Sequence, residues 1–223
     1  MTERLAILFD IDGTLIVSGG AGARSWRLAF DELYGVPADI GEYTDAGMTD
    51  PEVGRFTFEK VVGHEPSARE LARLLARRNQ LLPRAVAESR GYRVLPGVRD
   101  LLPHLCQEGY LLGLTTGGVE TASHIKLERA HLNRYFHFGG YGSDSPDRTE
   151  LTRRAVERAS TILARRLSHD QVLVVGDTPL DIESAHRADA IGVGVATGHY
   201  AKEELKEAGA DYVLGSLEEE LPL

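Results

Sequence analysis

Cysteine is nearly absent from the 223-residue chain. The single Cys106 excludes an internal disulfide and any cysteine-cluster metal site. It sits in an apolar helical stretch and is expected to be a buried small residue. Basic residues are in deficit: 25 Lys+Arg against 34 Asp+Glu leave a net charge of -9, which argues against general nucleic-acid binding. No apolar run approaches membrane-spanning length. Glu3 and Arg4 precede only five apolar residues, too few for a signal peptide, so a cytoplasmic location is expected. The eight histidines form no H-E-x-x-H and have no cysteine partner, which argues against zinc. The glycine-rich stretch Ser18–Gly22 is not followed by Gly-Lys-Ser/Thr. It therefore reads as a flexible joint rather than a phosphate-cradling P-loop.

What is present concentrates at one point. Leu5 to Phe9 is uninterrupted apolar sequence, the pattern of a fully buried strand, and it stops on Asp10-Ile11-Asp12-Gly13-Thr14. Two acids two positions apart share a side while the chain stays extended. Gly13 permits a sharp turn and Thr14 adds a hydroxyl. Paired carboxylates at a sheet rim suit metal binding, nucleophilic attack and proton transfer. An EF-hand loop is excluded, because counting from Asp10 its sixth position is Leu15 and its twelfth is Ala21.

Helical spacing runs over Ala23–Tyr34, Pro51–Val62 and Ser67–Ser89, with no convincing strand between residues 17 and 90. In the last of these helices Leu71, Leu74, Leu75, Leu81 and Leu82 are apolar. Its Arg69, Arg73, Arg77, Arg78 and Arg84 read as a solvated face. A second joint spans Gly91–Gly97. From there strands are expected at Tyr110–Leu114, Phe136–Phe138, Gln171–Val175, Ile191–Val195 and Asp211–Leu214. They alternate with helices at Val98–Gln107, Glu120–His131, Glu150–Leu167, Asp181–Arg187 and Lys202–Ala208. This predicts an α/β fold: a Rossmann-like parallel-sheet core (residues 1–16 and 91–223) with an inserted all-helical domain (residues 17–90). Asp10, Thr116 and Asp177 each fall just past a predicted strand, where such sheets bind ligands.

Four segments occur in order: Asp10-Ile11-Asp12-Gly13-Thr14, Leu114-Thr115-Thr116-Gly117, a basic position near Arg148, and Gly176-Asp177-Thr178-Pro179-Leu180-Asp181. Through them the chain resembles the haloacid dehalogenase superfamily of phosphatases. The helical insert is similar to the cap of its phosphoglycolate phosphatase-like branch, and Ala208–Leu214 looks like the family's last strand. The resemblance implies that Asp10 is a nucleophile forming an aspartyl-phosphate, and that Asp12 is the general acid and then base. It implies Mg²⁺ as cofactor, held by Asp10, Asp177 and Asp12, the last through its backbone carbonyl. Gly13, Thr14, Thr116, Gly117 and Gly118 would surround the substrate, with Thr116 and the Gly117 N–H on the phosphoryl oxygens. Asp181 would stand behind the metal and orient its water or the basic residue.

The family usually places a lysine before the Gly-Asp segment, and Ser143–Glu150 contains none. Arg148, whose planar fork grips phosphate, or Lys126 on the preceding helix would take its place. The loop Thr44–Asp50, including Thr49, is expected to face the site from the cap. The implied partner is a small phosphorylated metabolite, with neither nucleic acid nor membrane, in a monomer or homodimer. A phosphosugar mutase of the same fold and a non-catalytic phosphate-ligand binding module are the alternatives. Asp12 argues against a haloacid dehalogenase, which has no leaving alkoxide to protonate. A phosphonate hydrolase needs a cap lysine, and Lys60 is the sole candidate. Gly192–Gly198 carries a partial dinucleotide fingerprint whose third glycine comes one residue late, with too little chain after it.

Overall fold

In a computed structural model, which describes residues 4–223, the apolar run forms β1 (Ala6–Phe9), buried throughout. Met1, Thr2 and Glu3, the start of the expected core segment, lie outside the described residues. After β1 come β2 (Ile16–Val17), α1 (Ala21–Tyr34), α2 (Asp50–Val62), α3 (Ala68–Glu88), β3 (Arg93–Val94) and α4 (Val98–Gln107). Then follow β4 (Leu111–Thr116), α5 (Glu120–Glu128), β5 (Gly139–Tyr141), α6 (Arg148–Ile162) and β6 (Val172–Gly176). The chain ends with α7 (Pro179–Arg187), β7 (Ile191–Val195), α8 (Lys202–Glu207) and β8 (Tyr212–Leu214).

The sheet is six-stranded in the order β5-β4-β1-β6-β7-β8, with every pairing parallel. Strand alternation explains its two covered faces. Ile7 and Phe9 pack with Val98, Leu102 and Leu105 of α4, while Ala6 and Leu8 pack with Ala155 and Ala159 of α6 and Ala185 of α7. The chain builds outward from β1 through β4 to β5, then crosses to β6 on the other flank. Strand order therefore reverses at β1, the kind of position where open parallel sheets leave a crevice at their carboxyl ends.

The third of the predicted core strands is displaced. Phe136–Phe138 lies ahead of the strand, which is Gly139–Tyr141. Phe136 instead packs edge-on to Phe9, with centroids 6.1 Å apart. Gly139 and Gly140 look like turn residues, but a Cβ on Gly140 would lie 1.8 Å from the Leu151 carbonyl oxygen. Gly140 serves the close approach of α6 to the strand, while a Cβ on Gly139 would lie 2.9 Å from Leu114 of the neighbouring β4. Helix α6 starts two residues earlier than expected because Asp147 caps it, accepting from the Thr149 N–H at 2.8 Å. It also ends earlier, and Ala164 beyond it takes a left-handed φ of 50°.

Between β2 and β3 in the chain come α1, α2 and α3. Trp26, Phe30, Phe58 and Leu74 form their own apolar centre. Thr49 and Ser67 cap α2 and α3 in reciprocal boxes with Glu52 and Glu70, each cap being worth about 1 kcal/mol. Leu82, Ala85 and Val86 of α3 dock on Val119 and Ala122 of the core. The two connecting segments, expected as plain joints, pair with each other as the antiparallel β2–β3 ribbon. The Ser89 hydroxyl donates across them to the Ser18 and Gly19 carbonyls at 2.9 and 3.0 Å.

Two single-residue expectations are overturned. Cys106 is exposed, because α4 buries Leu102 and Leu105 and turns Cys106 to solvent. Arg78 is not solvated: it is 1% exposed and pairs with Asp50 at 3.2 Å. Its position four residues after Leu74 and four before Leu82 puts it on the buried stripe of α3.

Candidate active site

Three adjacent strands deliver the polar residues. Asp10 follows β1, Thr116 ends β4 and Asp177 follows β6, so all three meet at the carboxyl edge of the sheet. Gly13 takes a φ of 88°, and its N–H donates to the Ile16 carbonyl at 2.8 Å, which folds the chain back after Asp12. A cavity of about 520 Å³ opens there. Asp10, Asp12, Gly13, Thr116, Gly117, Gly118, Lys126, Arg148 and Asp177 line it from the core, and Ala46, Gly47, Met48 and Asp50 from the insert.

Both sequence candidates for the cation are present, in different places. The Arg148 guanidinium donates to Asp10 at 3.0 Å, to Asp181, and to the Gly47 carbonyl of the insert at 2.8 Å. Lys126 instead donates to Asp12. Asp181 has both oxygens engaged, one by Arg148 and the other by the Thr178 N–H at 3.0 Å and hydroxyl at 2.7 Å. Gly176 leaves the space that carboxylate needs, since a Cβ there would lie 2.2 Å from Asp181 Cγ.

Asp177 is held in a slot between glycines. A Cβ on Gly13 would come within 2.2 Å of its carboxylate and one on Gly198 within 1.7 Å. Thr14 is fully buried behind it and donates to Asp177 at 3.2 Å rather than opening into the cavity. Thr49, in the loop expected to face the site, is likewise fully buried and spends its hydroxyl on the cap of α2. Its neighbours line the cavity in its place. The Gly118 N–H donates to Thr116 Oγ at 3.3 Å, which closes a tight loop after β4.

Carboxylate oxygens of Asp10, Asp177 and Asp181 all lie within 4.8 Å of one another. Burial, then the charges of Asp181 and Asp12, push the Asp10 carboxyl up to about 7 against the opposing pull of Arg148. Burial and the nearby charges of Asp10 and Asp181 push Asp177 up to about 8. Burial works against the charged Arg148, yet Asp181 and Asp10 overcome it and hold the guanidinium above its ordinary range. Three buried acids share one arginine, so ionising all of them would leave negative charge without a partner. Such a site invites a cation.

Some lining residues carry no short motif. Val17, Arg93 and His199 reach the cavity through the β2–β3 ribbon and the loop after β7. The partial dinucleotide fingerprint dissolves, because Gly192 and Gly194 lie within β7 rather than in a turn before a helix. Gly198 instead backs Asp177, and Thr197 donates to the Gly13 carbonyl at 2.6 Å.

An acid-lined crevice at the switch point of a doubly covered parallel sheet is the place where α/β enzymes of this architecture bind their ligands. The family profile described as haloacid dehalogenase-like hydrolase matches residues 5–189, and the chain belongs to that family. It is 28% identical to a phosphoglycolate phosphatase of Salmonella paratyphi A, across 97% of this chain and 90% of that one. It is 26% identical to a probable phosphatase, IndB, of Dickeya dadantii, across 96% and 90%. A solved hydrolase from Pseudomonas syringae superposes with a TM-score of 0.70 at 25% identity, across 94% of this chain and 93% of that one.

Proposed function

We propose that the chain is a Mg²⁺-dependent phosphatase, acting in the cytoplasm on a small phosphate monoester through an aspartyl-phosphate at Asp10. The observation that carries this reading is the contact of Arg148 with Asp10 beside the Asp10–Asp177–Asp181 cluster. A cation set on the attacking oxygen lets a phosphate dianion approach a carboxylate that would otherwise repel it. The phosphatase relatives support the same chemistry.

The donor set fits Mg²⁺. It consists of hard carboxylate oxygens without sulfur or imidazole, and burial and mutual repulsion raise two of the three acids. Asp10, Asp177 and the Asp12 carbonyl would hold the ion. Asp181, with both oxygens engaged, would position Arg148. When bound, the ion would neutralise phosphate charge that the arginine alone leaves over.

The chain's own residues do the rest. Asp10 attacks phosphorus as the bond to the ester oxygen breaks, and Asp12 gives that oxygen its proton. Asp12 then takes a proton from the water that attacks the aspartyl-phosphate, which frees inorganic phosphate and restores Asp10. Thr116 and the Gly117 N–H hold the phosphoryl oxygens. Lys126 holds the Asp12 carboxyl in place. The helices of residues 17–90 act as a cap on the core of residues 1–16 and 91–223, and the β2–β3 ribbon is the hinge.

The test is phosphate release from a panel of monoesters, with and without Mg²⁺, by wild type and Asp10→Asn. Wild type alone should turn over, only with the metal, and the variant should lose about a thousandfold or more. Release that survives in Asp10→Asn would refute the mechanism.

A further inference from the structure

Helix α5 follows the phosphate-side loop Thr116–Gly118 directly and has no side-chain cap of its own, its N-cap being Val119. The cap comes from the helical insert. Asp50 Oδ2 accepts from the Val119 N–H at 2.9 Å, and the Asp50 N–H donates to the Gly117 carbonyl at 2.7 Å. A carboxylate there satisfies an otherwise orphaned amide and matches the positive end of the helix dipole. The same Oδ2 meets Arg78 Nη1 at 3.2 Å. Arg78 supplies the countercharge from below, 1% exposed and 5.3 Å from the ring of the buried Trp26. The insert can press this close because position 117 is glycine. A Cβ there would lie 2.5 Å from the Met48 carbonyl oxygen.

We propose that Asp50, backed by Arg78, is a positioning residue: it caps α5 from the insert and so sets the Thr116–Gly118 loop in its phosphate-holding geometry only while the insert is docked. Asp50 and Arg78 travel together on the insert, whereas Val119 and Gly117 belong to the core. Undocking therefore breaks both Asp50 bonds, to the Val119 N–H and to the Gly117 carbonyl, at once. Loop geometry and cap position become one variable. The kinetic part rests on the phosphatase reading; the structural part does not.

Removing Asp50 alone would leave the buried Arg78 without its countercharge, so the decisive comparison is between two double variants of the full chain. Asp50→Asn with Arg78→Met keeps an acceptor for the Val119 N–H, while Asp50→Ala with Arg78→Met removes it. Neither buries a lone charge. With p-nitrophenyl phosphate as the probe, kcat of the Ala pair should fall about tenfold below that of the Asn pair, the scale of one misplaced donor. KM should differ by less than about threefold, since the loop acts on the transferring group. Amide exchange in peptides covering Gly117–Val119 should be about tenfold faster in the Ala pair, with or without turnover. Equal exchange in the two variants overturns the capping role, even if both are active. Faster exchange with equal kcat overturns the catalytic consequence. Wild type inactive on every monoester, with the exchange difference intact, would count against the phosphatase reading and leave the latch standing.

Discussion

Replacing Arg148 with Met tests whether one buried guanidinium holds the site together. Arg148 is 9% exposed and binds Asp10, Asp181 and the Gly47 carbonyl. Its loss leaves two buried carboxylates without their cation. Breaking such a pair costs about 3–5 kcal/mol. The lost bond to Gly47 adds about 1 kcal/mol. A total of about 4–6 kcal/mol is a large part of the roughly 5–15 kcal/mol that a domain has to lose. For a chain of this size it corresponds to a fall in Tm of about 10–20 °C.

The cost should depend on pH. Arg148 is what pulls the Asp10 carboxyl down against burial, so its removal raises that carboxyl further. At pH 5.5, below about 7, the Asp10 carboxyl is already largely protonated beside Arg148, so its pairing contributes little and little of it is lost; at pH 8 it is charged and paired, and the loss is larger. Urea unfolding in metal-free buffer at both pH values measures this. Arg148→Lys should recover only part of the loss, because a single ammonium does not reproduce the fork that reaches three partners. A loss below about 1 kcal/mol at pH 8, the scale of an exposed pair, would refute the reasoning. So would a loss no smaller at pH 5.5.

Metal and geometry give two more predictions. Asp10 and Asp177 titrate in the folded protein at about 7 and about 8, above their ordinary carboxylate range. The folded state thus holds more protons than the unfolded one, and metal-free stability should fall as pH rises from about 4 through those values. Mg²⁺ should raise Tm more at pH 8 than at pH 5; metal-free melts that become more stable across that range would contradict the electrostatic account. Gly198→Ala would place a methyl carbon 1.7 Å from the Asp177 carboxylate. Calorimetric titration should show Mg²⁺ affinity reduced by about 10–100-fold, and unchanged affinity would show that Gly198 does not hold Asp177 in place.

The sequence by itself determined the parts whose cause is local. An apolar run that ends on Asp10 must be a buried strand delivering acid to a rim, and the same logic found Thr116 and Asp177. Alternating periodicities were enough to expect a parallel sheet with a helical insert. Glycines misled where their reason was remote: Gly139 and Gly140 look like a turn, yet they are a strand, thinned at Gly140 to admit α6. Arg78 belongs by composition to a row of solvated arginines. Only the fold reveals Asp50 and Trp26 around it.

The choice between Arg148 and Lys126 shows where local reasoning stops. Both are cations on helices near the rim, and no spacing rule ranks them. Arg148 reaches Asp10 across 138 positions of sequence, and Lys126 reaches Asp12 across 114. Which cation meets which acid depends on where α5 and α6 lie, α6 being set by packing against β4 and β5 and α5 by packing against α3. Side-chain type settles what a residue can bind; only the tertiary structure settles what stands within reach, because pairing energy falls off over a few ångströms while the chain between partners runs for a hundred residues or more.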